Sequence, residues 1–327
     1  MSLRPVSLVA GVAAAALAGC GGGGGNSTST PAPSSDNPTS AKQEDFPKGS
    51  GLTFQDVQAK YPAQLSLGIG ASVMRQGPNR VPFVVLDKGA RPVLNAAVAL
   101  YTVHQDGTDV RGPFVAKETK FDVKPAFLAK TSASDSSTAK VFYAAEVPFK
   151  GKPPQGVFAL VRMDGRLVAA SPSPLGVKSA QGSPPDVGDR AVSIHTETVK
   201  DGKKLSYLTT RVPPDANMVN EDFADVLGKK PVVLIFATPA LCQSRVCGPV
   251  VDVAEQVRSE IGAKAAFIHQ EIYKDNQPNK GLRPQLASWR LESEPWTFVI
   301  DRAGRISSRF EGAVSVPELR AAVQKVL

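Results

Sequence analysis

Residues 231–250 read PVVLIFATPALCQSRVCGPV, and this stretch decides the fold of the second half of the chain. Pro231–Thr238 is a continuous apolar run, as a strand buried on both faces would be. Two cysteines follow it, Cys242 and Cys247, with four residues between them. Beyond them, Val250, Val253, Ala254, Val257 and Ile261 recur at helical spacing over Pro249–Ile261. Ala265–Ile272 reads as a second β run and Leu282–Leu291 as a candidate helix. Trp296–Asp301 and Arg305–Glu311 flank Arg302-Ala303-Gly304 as a hairpin. Ser315–Leu327 closes the chain, and Ser315-Val316-Pro317-Glu318 reads as a capping box with proline in the first helical turn. The order β-α-β-α-β-β-α predicts helices on both faces of a mixed sheet.

Upstream the grammar differs. Short β-branched or apolar runs are broken by turn residues: Gln64–Ala71, Val81–Asp87, Ala96–His104, Lys140–Pro148, Gly156–Met163 and Arg166–Ser171. Asp164-Gly165 joins the last two, a strong hairpin signal. Such spacing without helical periodicity predicts an all-β, immunoglobulin-like sandwich over residues 50–176. It contains no cysteine and one histidine, His104, beside a turn; no catalytic constellation stands out. Residues 177–186, rich in Pro, Gly and Ser, read as a linker to an α/β domain over 187–327.

At the other end, Met1–Arg4 carries positive charge, Pro5–Ala16 is apolar, and Leu17-Ala18-Gly19-Cys20 closes on a cysteine. Charge, apolar run and small residues describe an export signal over 1–19. The last four residues resemble the lipobox of bacterial lipoproteins, which implies a diacylglyceryl thioether on Cys20. It also implies residence on the extracytoplasmic face of the cell membrane, where a disulfide can persist. Gly21–Gly25 and the Ser/Thr/Pro-rich residues after it predict a flexible tether over 20–49.

The buried strand, the two-cysteine loop at its end, the helix and a later Glu294-Pro295 directly before a strand resemble the thioredoxin fold. Val187-Gly188-Asp189-Arg190-Ala191 is similar to the opening segment of peroxiredoxins and of membrane-tethered thioredoxin-like proteins. The resemblance covers 187–327 and implies that Pro295 is cis and presents backbone to a substrate peptide. It also implies thiol–disulfide exchange with exported protein thiols and disulfides. The sequence departs from the family in having Cys-x4-Cys for Cys-x-x-Cys, no tryptophan before it, and no acid in the strand 232–238, where thioredoxins bury one that relays protons.

On one regular helix, residues five apart are separated by about 7.5 Å along the axis. A bridged Cα pair tolerates only ~7 Å. Cys242 must therefore lie in the loop and curl back, or the pair forms no bridge. Either Cys247 takes the family's second-cysteine position, the register preferred here, or Cys247-Gly248-Pro249 imitates the start of the motif. In the preferred register Cys242 attacks, Cys247 resolves, and Arg245 with the helix amides stabilises the thiolate. Two other readings stand beside it: a structural disulfide in a non-enzymatic envelope scaffold, and a copper-handling thioredoxin-fold chaperone with His269 as third ligand.

Composition bounds the rest. The chain has 327 residues, 42% hydrophobic, enough to bury a core without several disulfides. Its longest apolar stretch, Val6–Ala18, has 13 residues, short of the ~20 a spanning helix needs. Channels and transporters are thereby excluded. The net charge of +8 is spread singly or in pairs, which speaks against dedicated nucleic-acid binding. No cofactor or resident metal is expected. The oligomeric state is not legible.

Overall fold

The computed structural model describes residues 41–134, 139–149, 156–174, 182–242 and 245–327. The expected signal, Cys20, most of the tether, the loop tip at 135–138 and the first half of the linker lie outside them. Among the described residues no helix is long and apolar enough to cross a membrane.

Residues 42–49, expected at the end of the tether, lie against folded structure. Phe46 is buried, Tyr101 donates to the Pro47 carbonyl at 2.7 Å, and the Gly49 amide bonds the Gly112 carbonyl at 2.9 Å. A helix α1, Phe54–Lys60, follows, with Thr53 as its cap. Seven strands come next: β1 Ala63–Ile69, β2 Gly77–Leu86, β3 Ala97–Val103, β4 Arg111–Lys120, β5 Val141–Phe149, β6 Gly156–Met163 and β7 Arg166–Pro174. A short helix, α2 Lys130–Ser134, stands between β4 and β5.

The sandwich expectation is corrected here. The strands form one sheet in the order β1-β2-β5-β4-β3-β6-β7, closed into a barrel by parallel pairing of β1 with β7. Alternation along each strand says which side chains face inward. It does not say whether they meet a second sheet or the far wall of their own. Leu65, Phe83, Leu100, Tyr143, Val147 and Val161 fill the interior. The hairpin at Asp164-Gly165 pairs Met163 with Arg166, both turn residues having positive φ, as a two-residue primed turn requires.

Five helices and four strands build the rest of the described chain: α3 Leu205–Leu208, α4 Phe223–Val226, β8 Val232–Phe236, α5 Cys247–Ile261, β9 Ala266–Gln270, α6 Pro284–Ser288, β10 Trp296–Ile300, β11 Ile306–Glu311 and α7 Val316–Gln324. The sheet order is β11-β10-β8-β9; β9 runs parallel to β8, and β10 is antiparallel to both β8 and β11. The sheet is therefore mixed, as the alternating order of strands and helices predicts. Ser315 caps α7 and Glu318 returns the bond, completing the capping box.

The side chains of β8 alternate between two cores. Val233, Ile235 and Ala237 pack with α5 and α7; Val232, Leu234 and Phe236 pack with Trp289, Trp296 and Phe298 on the other face. Phe121 and Phe142 of the barrel join the α5–α7 core, so these helices lie between sheet and barrel. That explains the buried polar residues of α5. Asp252 accepts the Ala129 amide at 3.1 Å and Gln256 accepts the Lys124 amide at 2.8 Å, both from the chain around α2. On the opposite side Glu311, at the end of β11, accepts the amides of Ser72 and Val73 at 2.8 and 3.1 Å. Next to it Gly312 has φ +73 and passes so near the Gly70 carbonyl that a Cβ would sit 2.3 Å from that oxygen.

Candidate functional site

Strand β8 ends at Phe236, and the chain leaves it through Thr238, Pro239 and Ala240 towards the two cysteines. Cys242 lies in the loop and is half-buried; Cys247 is the first residue of α5 and is buried. The loop curls back, because the Cys247 backbone N–H donates to Cys242 Sγ at 3.3 Å. The first amide of the helix is thus aimed at the more accessible sulfur, where helix-terminal N–H groups favour an anion. The two are held as thiols, their sulfurs within 4.8 Å. With only Cys247 helical, the 7.5 Å separation of a regular helix does not apply.

Arg245 stands in left-handed backbone (φ 60), and its carbonyl accepts the Ala139 amide at 3.3 Å. It shares with Cys242 the wall of a cleft of about 370 Å³. The opposite wall is the barrel's α2, through Thr131, Ser132 and Ser134. Gly248, one residue into α5, approaches Ser132 so closely that a Cβ there would lie 2.9 Å from the serine oxygen. The β half therefore forms part of the approach to Cys242.

The Glu294–Pro295 peptide is cis and Pro295 is buried, its carbonyl accepting the Gly312 amide at 2.8 Å. Sequence reasoning passed over the residue before it. One carboxyl oxygen of Glu294 and the sulfurs of Cys242 and Cys247 all lie within 4.8 Å of one another. Thioredoxins bury their acid in the strand ahead of the cysteines; here a carboxyl reaches the pair from the proline loop across the sheet. The signal was in the sequence, as an acid immediately before the proline that the resemblance makes cis and presents to a substrate peptide.

Electrostatics follow burial. Desolvation pushes the Cys247 thiol well above its ordinary value, reinforced by its hydrogen bond to Cys242 and by the charges of Cys242 and Glu294; the Thr238 backbone works the other way. Burial raises Glu294 to about 8, with the charges of Cys242 and Glu271 adding to it. Its Oε2 is buried without a hydrogen-bond partner. Glu271, fully buried at the end of β9, accepts the Thr210 amide and hydroxyl at 2.7 and 2.8 Å. Tyr273 is raised by desolvation first and then by Glu294 and both cysteines.

The histidines stand elsewhere. His269 Nε2–H donates to the Ala237 carbonyl at 2.9 Å inside the sheet, and burial lowers its pKa. It is not among the ligating groups gathered with the cysteines. His195 pairs with Asp222 at 2.6 Å, and His104 lies 3.8 Å from Asp106 in its turn.

Comparison with known proteins adds a structural likeness. No protein family and no characterised protein matches the sequence. A solved structure described as a thiol:disulfide interchange protein, thioredoxin family protein, from Chlorobium tepidum TLS is 18% identical over 43% of this chain and 98% of its own, with a TM-score of 0.30.

Proposed function

We propose that the chain is a lipid-anchored, extracytoplasmic thioredoxin-like protein that exchanges thiols and disulfides with exported proteins through Cys242 and Cys247. The observation that carries this reading is the Cys247 N–H aimed at Cys242 Sγ, with the second thiol buried within 4.8 Å. Exchange needs an accessible thiolate and a second thiol to resolve the mixed disulfide. In the reducing direction, Cys242 thiolate attacks a substrate disulfide, forming a mixed disulfide and releasing one substrate thiolate. Cys247 then gives its proton to the Glu294 carboxylate and attacks Cys242 Sγ. The Cys242–Cys247 disulfide forms and the second substrate thiolate leaves. Arg245 and the first amides of α5 stabilise the attacking sulfur, and Pro295 orients the substrate chain. The anchor rests on Leu17-Ala18-Gly19-Cys20 alone.

The test is the midpoint potential of the pair, by thiol trapping in graded glutathione buffers, together with a Cys247→Ser trap. A potential between about −120 and −270 mV and a Cys247→Ser protein that accumulates mixed disulfides support exchange. A disulfide that stays intact below about −300 mV marks a structural staple and overturns the reading.

A further inference from the structure

The same three side chains have a second chemistry that involves no electron transfer. Two sulfurs and a carboxylate oxygen converge within 4.8 Å of one another. Each carries a negative charge when deprotonated, and in that form Cys242 and Glu271 oppose a charge on Glu294. Glu294 Oε2 is a buried acceptor with no donor, a condition that calls for an explanation in a folded protein. We propose that Cys242, Cys247 and Glu294 form a binding site for a borderline divalent cation of the zinc type.

The donor set selects the metal. Two thiolates exclude the hard cations Mg²⁺ and Ca²⁺, which take oxygen ligands. Zn²⁺ accepts thiolate and carboxylate together, at about 2.3 and 2.0–2.2 Å, in a tetrahedron. Such a tetrahedron has edges of roughly 3.5–3.8 Å, so groups already within 4.8 Å close on the ion through side-chain rotation. His269 is held by the Ala237 carbonyl and supplies no fourth ligand. Three protein ligands leave the fourth position open, as at catalytic rather than structural zinc sites. That position is for water or an incoming thiol through the α2 cleft beside Cys242.

Binding joins Zn²⁺ to both sulfurs and the carboxylate and releases the protons they carry; nothing is oxidised or reduced. Oxidation of the pair to a disulfide removes two of the three ligands. Metal and disulfide therefore exclude each other, and the bound ion holds the dithiol reduced and withdrawn from exchange.

The experiment uses the full chain in a Cys20→Ser background, reduced and stripped with a chelator. Zn²⁺ is titrated in competition with a chromophoric chelator, and Co²⁺ serves as the spectroscopic probe. One ion per chain, a sulfur-to-cobalt charge-transfer band, and stoichiometric release on oxidation of the pair are expected. Glu294→Gln weakens the affinity about tenfold or more, and Cys242→Ser or Cys247→Ser abolishes the charge-transfer signature of two sulfurs. Glu294→Gln binding as tightly as the parent, or metal retained after oxidation, overturns the proposal. The release measurement needs no variant, so it decides even if Glu294→Gln fails to fold. None of these readouts requires exchange activity. Zinc binding by a pair that turns over no disulfide leaves this site standing and removes the exchange reading; turnover without zinc binding does the reverse.

Discussion

Arg211 Nε lies 3.0 Å from Asp252 Oδ1, and both side chains are shut away from water. The same guanidinium donates to the carbonyls of Pro213 at 2.6 Å and Phe127 at 2.7 Å. Asp252 also takes the Ala129 amide. One ion pair thus ties the second turn of α5 to the segment that carries α2, and so fixes both walls of the cleft beside Cys242.

Replacing Arg211 with Met leaves Asp252 buried without its counter-charge. A loss of about 3–5 kcal/mol is expected, the usual cost of removing one partner of a buried pair, measured by urea unfolding. In variants that still fold, the α2 wall loosens and Cys242 reacts faster with a bulky thiol reagent. Unchanged stability would mean that Asp252 finds another partner.

Glu294→Gln keeps the shape of the side chain but removes the proton acceptor beside Cys247. With chelator present, mixed-disulfide formation at Cys242 proceeds, and its resolution by Cys247 slows by about 10², the lower end of what a positioned base contributes. Stopped-flow kinetics separates the two steps. Equal slowing of both would place Glu294 in substrate binding instead.

Asp215 and Glu255 form a buried carboxyl pair beside Arg258, 3.1 Å from Asp215. Burial raises Glu255 to about 7 from its ordinary 4.5, and the hydrogen bond and charge of Asp215 add to the rise. Burial also acts upward on Asp215, but bonds to Glu255 and Asn217 and the charge of Arg258 outweigh it, so Asp215 is lowered. Between pH 4.5 and 7 the native state holds the Glu255 proton that the unfolded chain has released. Its contribution, on the order of 3 kcal/mol, is complete below pH 4.5 and is lost as pH rises through 7. Glu255→Gln flattens that part of the stability–pH curve, as denaturant melts across the range will show.

Gly312→Ala puts a Cβ 2.3 Å from the Gly70 carbonyl oxygen at φ +73. The left-handed conformation alone costs about 1–2 kcal/mol, and the backbone of β1's exit has to move. A lowered melting temperature is expected, with loss of the Ser72–Glu311 contact. A Gly312→Ala protein as stable as the parent would show that the barrel shifts freely against the sheet.

Much of this architecture was legible. The apolar run into β8, the helical spacing of α5, the β10–β11 hairpin and the Ser315 cap are local patterns, and each appears where its residues place it. Strand β4 was not foreseen, because Arg111–Lys120 is broken by Pro113 and largely polar outward. Closure of the barrel depends on β1 meeting β7, about a hundred residues apart, a pairing no local pattern encodes. The burial of Asp252 and Gln256 was hidden for a related reason. Polar positions on a helix read as solvent-facing until the partner chain supplying Ala129 and Lys124 amides is known. Glu294 was overlooked because the acid was sought in the strand before the cysteines, and it comes from the loop before Pro295.

The closure of the first half has a consequence for crowding. A sheet with free edges offers unpaired amides and carbonyls to any neighbour, and long exposed edges invite intermolecular strand pairing. The parallel β1–β7 seam closes the barrel and leaves neither strand as a long open edge. The remaining sheet ends in β9 and β11, only five and six residues long. Copies concentrated on one surface would thus meet almost wholly through side chains, with little backbone available to zip one molecule onto the next.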